Sequence, residues 1–215
     1  MDLLHVDDGQ PDRPDLYRVR LGGTDLQRLT STEGRHQVFL NPSRTLFLDS
    51  YSAVMTPPQV RMHNTSSPAA VRTVDANPVT ALRDYGLSKP ELMQVKTRDG
   101  FVMEAMMIKP PDFDPARRYP VYQFTYAGPH FQQVVNRWDG TEFLYQQLLA
   151  QHGIIVWICD NRTASGKGMQ SAWPLYREFG ALELRDIEDG LEWLKRQPYV
   201  DASRVGIAGV SLAPT

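Results

Sequence analysis

Three strand-length apolar runs, separated by two helix-length segments, constrain this chain more than any other feature. The runs are "YPVYQFTYAG" (119–128), "IIVWICD" (154–160) and "RVGIAGVS" (204–211). Between the first two lies "EFLYQQLLAQHG", with Leu144 and Leu148, and Tyr145 and Leu149, at helical spacing and Gly153 as a C-terminal stop. Between the last two lies "ALELRDIEDGLEWLKRQ", whose Leu184, Ile187, Leu191 and Leu194 form one stripe, with charged residues opposite. A strand with no polar alternation, such as Ile154–Cys159, is expected where helices cover both faces of a sheet. Strand, helix, strand, helix, strand predicts a mainly parallel α/β sheet.

Upstream the texture differs. Residues 16 to about 64 read as short strands and turns: "LYRVRL", "LQRLT", "HQVFL", "RTLFLDSYS" and "PQVRMHN". In "LYRVRL", alternation predicts Tyr17, Val19 and Leu21 on one face, with Arg18 and Arg20 on the other. These strands are too few to close a barrel or a propeller. The expected organisation is an all-β portion over 1–75, a connector with one short helix over 76–91, and the α/β portion over 92–215. The α/β portion opens with a β-hairpin, "ELMQVKTRDGFVMEAMMIKP", turning at Arg98-Asp99-Gly100.

Composition excludes several functions. Hydrophobic residues make up 41% and charged residues 22% of the chain, which is ordinary globular composition. A formal net charge of −2 gives no electrostatic case for nucleic acid or an anionic membrane. Cys159 is the single cysteine, so no internal disulfide forms; it reads as a buried strand residue. No run approaches the about 18 apolar residues of a membrane helix. The start, "MDLLHVDDGQPDRPD", has acids and prolines where a signal peptide would be basic, then apolar. The expectation is a cytoplasmic chain, or one whose native start lies elsewhere; the residues set neither compartment nor oligomeric state.

Ligands of open α/β sheets bind beyond the C-terminal ends of the strands, here "TYAGPH", "DNRTASGKG" and "GVSLAPT". "GIAG" misses the spacing of a dinucleotide loop, and "SGKG" lacks the first glycine of a phosphate loop, because position 161 is asparagine. The remaining pattern is the nucleophile elbow, G-x-S-x-G, a sharp strand-to-helix turn that presents a serine. Gly209 and Ser211 supply its first half, and Ala213 stands at the second glycine position. By itself G-x-S after a strand also fits a plain strand-end serine.

The phrases "YPVYQFTYAGPH", "IIVWICDNRTASGKG" and "LELRDIEDGLEWLKRQPYVDASRVGIAGVS", in this order and spacing, resemble the catalytic domain of the prolyl oligopeptidase clan, on the dipeptidyl peptidase IV branch. The upstream hairpins look like the last part of that family's β-propeller. The resemblance implies an incomplete α/β-hydrolase sheet preceded by the C-terminal part of a propeller, and a serine peptidase acting through an acyl-enzyme. It implies that Ser211 is the nucleophile. Tyr126 and the backbone N–H of Leu212 would be the two oxyanion donors. The implied partner is a peptide substrate, with dipeptides released after proline, and neither a metal nor an organic cofactor is implied. Arg162 is expected to brace its loop, His130 to be a surface histidine, and Asp186, Glu188 and Asp189 to lie mostly on the solvent side of their helix.

In α/β-hydrolases the acid and the histidine follow the serine in the chain. Here His5, His36, His63, His130 and His152 all precede Ser211. The expectation is a form truncated after its nucleophile, with little or no activity alone. The alternatives are a general esterase on the same fold, or a non-catalytic relic or interaction protein.

Overall fold

The computed structural model describes residues 2–7, 14–67 and 69–211. They fall into two compact units, residues 1–81 with 135–140, and residues 82–134 with 141–215.

The first unit is built from antiparallel β-structure. Strands β1 (Asp2–Asp7), β2 (Pro14–Val19) and β3 (Gln27–Arg28) form one sheet in chain order. Strands β4 (Arg35–Leu40), β5 (Leu46–Ala53), β6 (Thr56–Asn64) and β7 (Ala70–Asp75) form a four-stranded meander. Leu16, Leu29 and Phe47 make the unit's buried apolar cluster, with Val38 packed against them. Along "LYRVRL", Leu16 supplies the buried core contact, and β2 ends at Val19, which leaves Leu21 79% exposed. Parity puts Arg18 on the Leu16 face, where its guanidinium reaches out to the Thr65 carbonyl at 2.8 Å. Asn136, from the 135–140 segment, accepts the Val54 N–H at 3.1 Å.

The second unit is α/β. Strands β8 (Glu91–Lys96) and β9 (Val102–Ile108) form the expected hairpin, closed at Gly100, whose φ of 89° belongs to the left-handed region. Strand β10 (Tyr119–Thr125), helix α1 (Gly140–Gln151) and strand β11 (Ile155–Cys159) follow. The short α2 (Met169–Ala172), the long α3 (Ala181–Lys195) and strand β12 (Val200–Gly209) complete the unit. The sheet order is β12-β10-β11-β9-β8, with β12, β10 and β11 parallel and the hairpin antiparallel.

Alternation along the buried strands splits the core between the two sheet faces. Ile155, Trp157 and Cys159 pack with Met103, Met107, Val121 and the Leu194 side chain of α3. Val156 and Ile158 pack with Ile108, Val134 and the Ala150 side chain of α1. Trp157 is fully buried and stacks on Trp193 of α3, with centroids 5.3 Å apart. Gly190 explains how closely α3 approaches β11: a Cβ there would lie 3.2 Å from the Cys159 sulfur. Cys159 is the buried strand residue that the sequence predicts, and burial pushes its thiol pKa well up, away from the reactive thiolate.

On α3 the predicted stripe holds at Ile187, Leu191 and Leu194, which are buried or packed against the core, and departs at Leu184, which is 43% exposed, while Glu183, Asp186 and Gly190 are also buried. The expected solvent position of Asp186 is therefore wrong, and Arg162 is the reason, as shown below. On α1, Leu144, Tyr145 and Leu148 are exposed, while Phe143, Gln146, Gln147 and Ala150 are buried. No helix among the described residues is long and apolar enough to cross a membrane.

Candidate active site

Because β12, β10 and β11 are parallel neighbours, their C-terminal ends lie side by side along one sheet edge. Thr125 pairs with Gly209, and Phe124 pairs with both Ala208 and Ile158. The chain therefore leaves the sheet at Tyr126, Asp160 and Val210 at nearly the same level.

Ser211 follows at the tip of β12, exposed to solvent, with φ of 61°. A left-handed φ is unfavourable for a residue with a Cβ and is found where a sharp turn is imposed. Leu212 lies outside the described residues, so the second expected donor has no described position.

Tyr126 is half-buried where β10 gives way to its loop. Its ring meets Phe131 edge-on, with centroids 4.9 Å apart. On the other side, a Cβ added to Gly128 would fall 2.6 Å from the Tyr126 hydroxyl oxygen. The ring thus folds back over the glycine. His130 is exposed, as expected, and its backbone N–H donates to the Thr163 carbonyl at 2.9 Å.

The "DNR" turn after β11 holds this arrangement, each residue in a different direction. Asp160 accepts the backbone N–H groups of Gln133 (3.0 Å) and Val134 (2.9 Å), which fixes the far end of the Tyr126 loop. Burial is the main influence on its carboxyl and pushes its pKa up to about 6, against the pull of those two donors. Asn161 caps its own turn by accepting the Thr163 N–H and hydroxyl at 2.9 and 2.6 Å, while its amide donates to the Tyr126 carbonyl at 3.5 Å. Arg162 turns away to α3. Its backbone N–H (2.9 Å), Nε (2.9 Å) and Nη2 (2.6 Å) all donate to the buried Asp186 carboxylate. The loop-bracing role expected of Arg162 is what the geometry shows. Lys167 extends the same turn, reaching Glu104 on β9 at 2.6 Å.

Ser211 and Tyr126 thus come from adjacent parallel strand ends, while Asp186 and Asp160 act as braces that sequence reading missed. No group of His, Cys, Asp and Glu suited to a metal ion occurs among the described residues.

Comparison with known proteins identifies the family. Residues 141–212 match the sequence profile of the prolyl oligopeptidase family. Human dipeptidyl peptidase 8 is 30% identical over 196 residues, which is 87% of this chain and 22% of that protein. A probable dipeptidyl-aminopeptidase B of Aspergillus oryzae is 31% identical over 208 residues, 94% of this chain and 22% of that protein. The crystal structure of Porphyromonas gingivalis dipeptidyl peptidase 4 superposes with a TM-score of 0.89 at 27% identity, covering 98% of this chain and 30% of that one. The chain belongs to the prolyl oligopeptidase family, in its dipeptidyl peptidase IV-like branch. It spans about a fifth of the length of the curated relatives it matches. The family match runs from α1 through Ser211. Tyr126, which lies before the profile match, falls within the longer similarity to the A. oryzae protein and the P. gingivalis structure.

Proposed function

We propose that this chain carries the nucleophile half of a dipeptidyl peptidase IV-like serine peptidase. In this reading residues 1–75 are the C-terminal part of a β-propeller, 76–91 a connector, and 92–215 the N-terminal half of an α/β-hydrolase domain. The carrying observation is that Ser211, held at φ 61° just beyond β12, and Tyr126 follow the ends of adjacent parallel strands, where Thr125 pairs with Gly209. The overlap with the P. gingivalis dipeptidyl peptidase 4 structure supports the domain assignment.

The chemistry follows from the two side chains. The Ser211 Oγ attacks the scissile carbonyl carbon, and its proton passes to a base. The carbonyl oxygen becomes an oxyanion, and the Tyr126 hydroxyl and the Leu212 N–H donate to it. The C–N bond then breaks, the protonated amine leaves, and water hydrolyses the Ser211 ester. Oxyanion donors act because they are aimed where charge develops, and removing one typically slows reaction about a hundredfold. With no Asp or His after Ser211 in residues 1–215, the triad base is not supplied in the usual order.

The test is covalent labelling of the purified chain with a fluorophosphonate, located by mass spectrometry. An adduct on Ser211, absent from Ser211→Ala, supports the elbow reading. A folded sample with no adduct on Ser211 refutes it and favours a non-catalytic role.

A further inference from the structure

We propose that Gly128 is a positioning residue for Tyr126, its missing side chain forming the slot in which the phenol ring sits. The inference rests on the reading of Tyr126 as an oxyanion donor and adds what sets the direction of that donor.

The argument begins with what Gly128 is not. Its φ lies outside the left-handed range that favours glycine, so alanine fits the backbone there without strain. A turn requirement therefore does not explain the residue. The surrounding space does. A Cβ at this position would meet the Tyr126 hydroxyl oxygen at 2.6 Å, and its Cε1 and Cζ at 2.7 Å. All three nearest atoms belong to that one ring. A Cβ does not come this close to a non-bonded atom, so an alanine at 128 must move the ring, the backbone, or both.

The backbone is the less free of the two. The loop is tied to the 160–163 turn at three places. These are Tyr126 through its carbonyl to Asn161, His130 through its N–H to Thr163, and Gln133 with Val134 through their N–H groups to Asp160. Gly128 itself is buried. Phe131 stands on the ring at 4.9 Å. A tyrosine has one long lever arm and few rotamers. With Phe131 beside the ring, the empty place above Gly128 determines where the hydroxyl points. Donor direction is what an oxyanion site depends on, since hydrogen bonds weaken steeply off axis.

The experiment places 3-fluorotyrosine at position 126 of the 215-residue chain and reads its 19F resonance. Gly128→Ala is expected to displace that resonance. Gly22→Ala, where no atom lies within 4 Å of the added Cβ, is expected to leave it unmoved. An unmoved resonance in folded Gly128→Ala overturns the proposal. If Gly128→Ala folds poorly, the same substitution in a Tyr126→Ala background decides. Recovery of stability there supports the steric link, and an equal loss in both backgrounds overturns it. The fluorophosphonate reaction separates this proposal from the reading beneath it. Tyr126→Phe that labels Ser211 at the parental rate removes the donor role of Tyr126, whereas the 19F shift still reports whether Gly128 holds the ring. With both readings correct, Gly128→Ala slows labelling to a degree similar to Tyr126→Phe, and the double variant is no slower than the slower single one.

Discussion

Asp186 is fully buried, yet its carboxylate accepts from three groups of the one residue Arg162, the backbone N–H, Nε and Nη2. The Arg162 guanidinium also reaches Asp99 at 2.9 Å, so a single side chain joins the turn after β11, helix α3 and the β8–β9 hairpin. Its pKa is driven up, first by the hydrogen bond to Asp186, which outweighs the opposing effect of burial. A buried pair need not be more stabilising than an apolar replacement, but removing one partner strands the other charge. Asp186→Ala should cost about 3–5 kcal/mol in urea unfolding on that ground. A loss below about 1 kcal/mol would show that Arg162 finds water instead. Apolar periodicity cannot reveal this residue, because a helical stripe analysis assigns every carboxylate to solvent. What the sequence does offer is an arginine three residues after a fully apolar strand, and such a charge near the core calls for an acid from another element.

At the scale of elements, α1 shows how far local pattern and tertiary role diverge. Its leucines suggest a core stripe, but Leu144 and Leu148 are 40% and 50% exposed. The buried positions include Gln146 and Gln147, and Gln147 is there because the neighbouring chain is itself backbone in need of partners. Gln147 accepts the Ser88 N–H at 2.7 Å and donates to the Ser88 carbonyl at 2.8 Å, pairing with that peptide as another strand would. Gln151 donates to the Tyr85 carbonyl one turn later. These amides fasten the segment before β8 to the helix. Gln147→Leu keeps the volume and helix propensity but leaves a peptide N–H and C=O without partners, at a cost of about 1–3 kcal/mol. Leu148→Ala, on the exposed side, should cost less than about 1 kcal/mol. Chemical denaturation of the two variants checks the order, and a larger loss for Leu148→Ala would refute it. By contrast, β11 was fully legible: five apolar residues in a row can only be buried on both faces, and all five are.

At the scale of the whole molecule, the chain forms two units with separate apolar cores, one drawing on both β-sheets of the first unit and two on the faces of the α/β sheet. The α/β unit was legible because parallel strands and crossover helices have distinct periods. The meander was legible as strands but not in its buried polar pairs, since alternation carries no information about which partner sits opposite. His36 is the clearest case. It is buried on β4, with Nδ1 2.8 Å from Asp49 Oδ2 on β5 and Nε2 2.8 Å from the Thr32 carbonyl. A neutral imidazole carries one N–H and would set a lone pair against one of these acceptors, whereas the imidazolium donates to both. Burial opposes the charge, but the Asp49 hydrogen bond and charge, then the Thr32 carbonyl and the more distant Asp15, outweigh it. The pKa is therefore raised above its usual 6.5. A pKa raised on folding means that the folded state holds the proton more tightly. The stabilisation is fully present below about pH 6.5 and is lost as the pH rises through the folded value. His36→Gln removes the titration while leaving a polar side chain beside Asp49. Amide exchange along β4–β6 should therefore show the parent chain losing protection relative to His36→Gln as the pH rises above about 6.5. Parallel profiles for the two chains would mean that His36 stays neutral and that one of its two acceptors is satisfied by another donor.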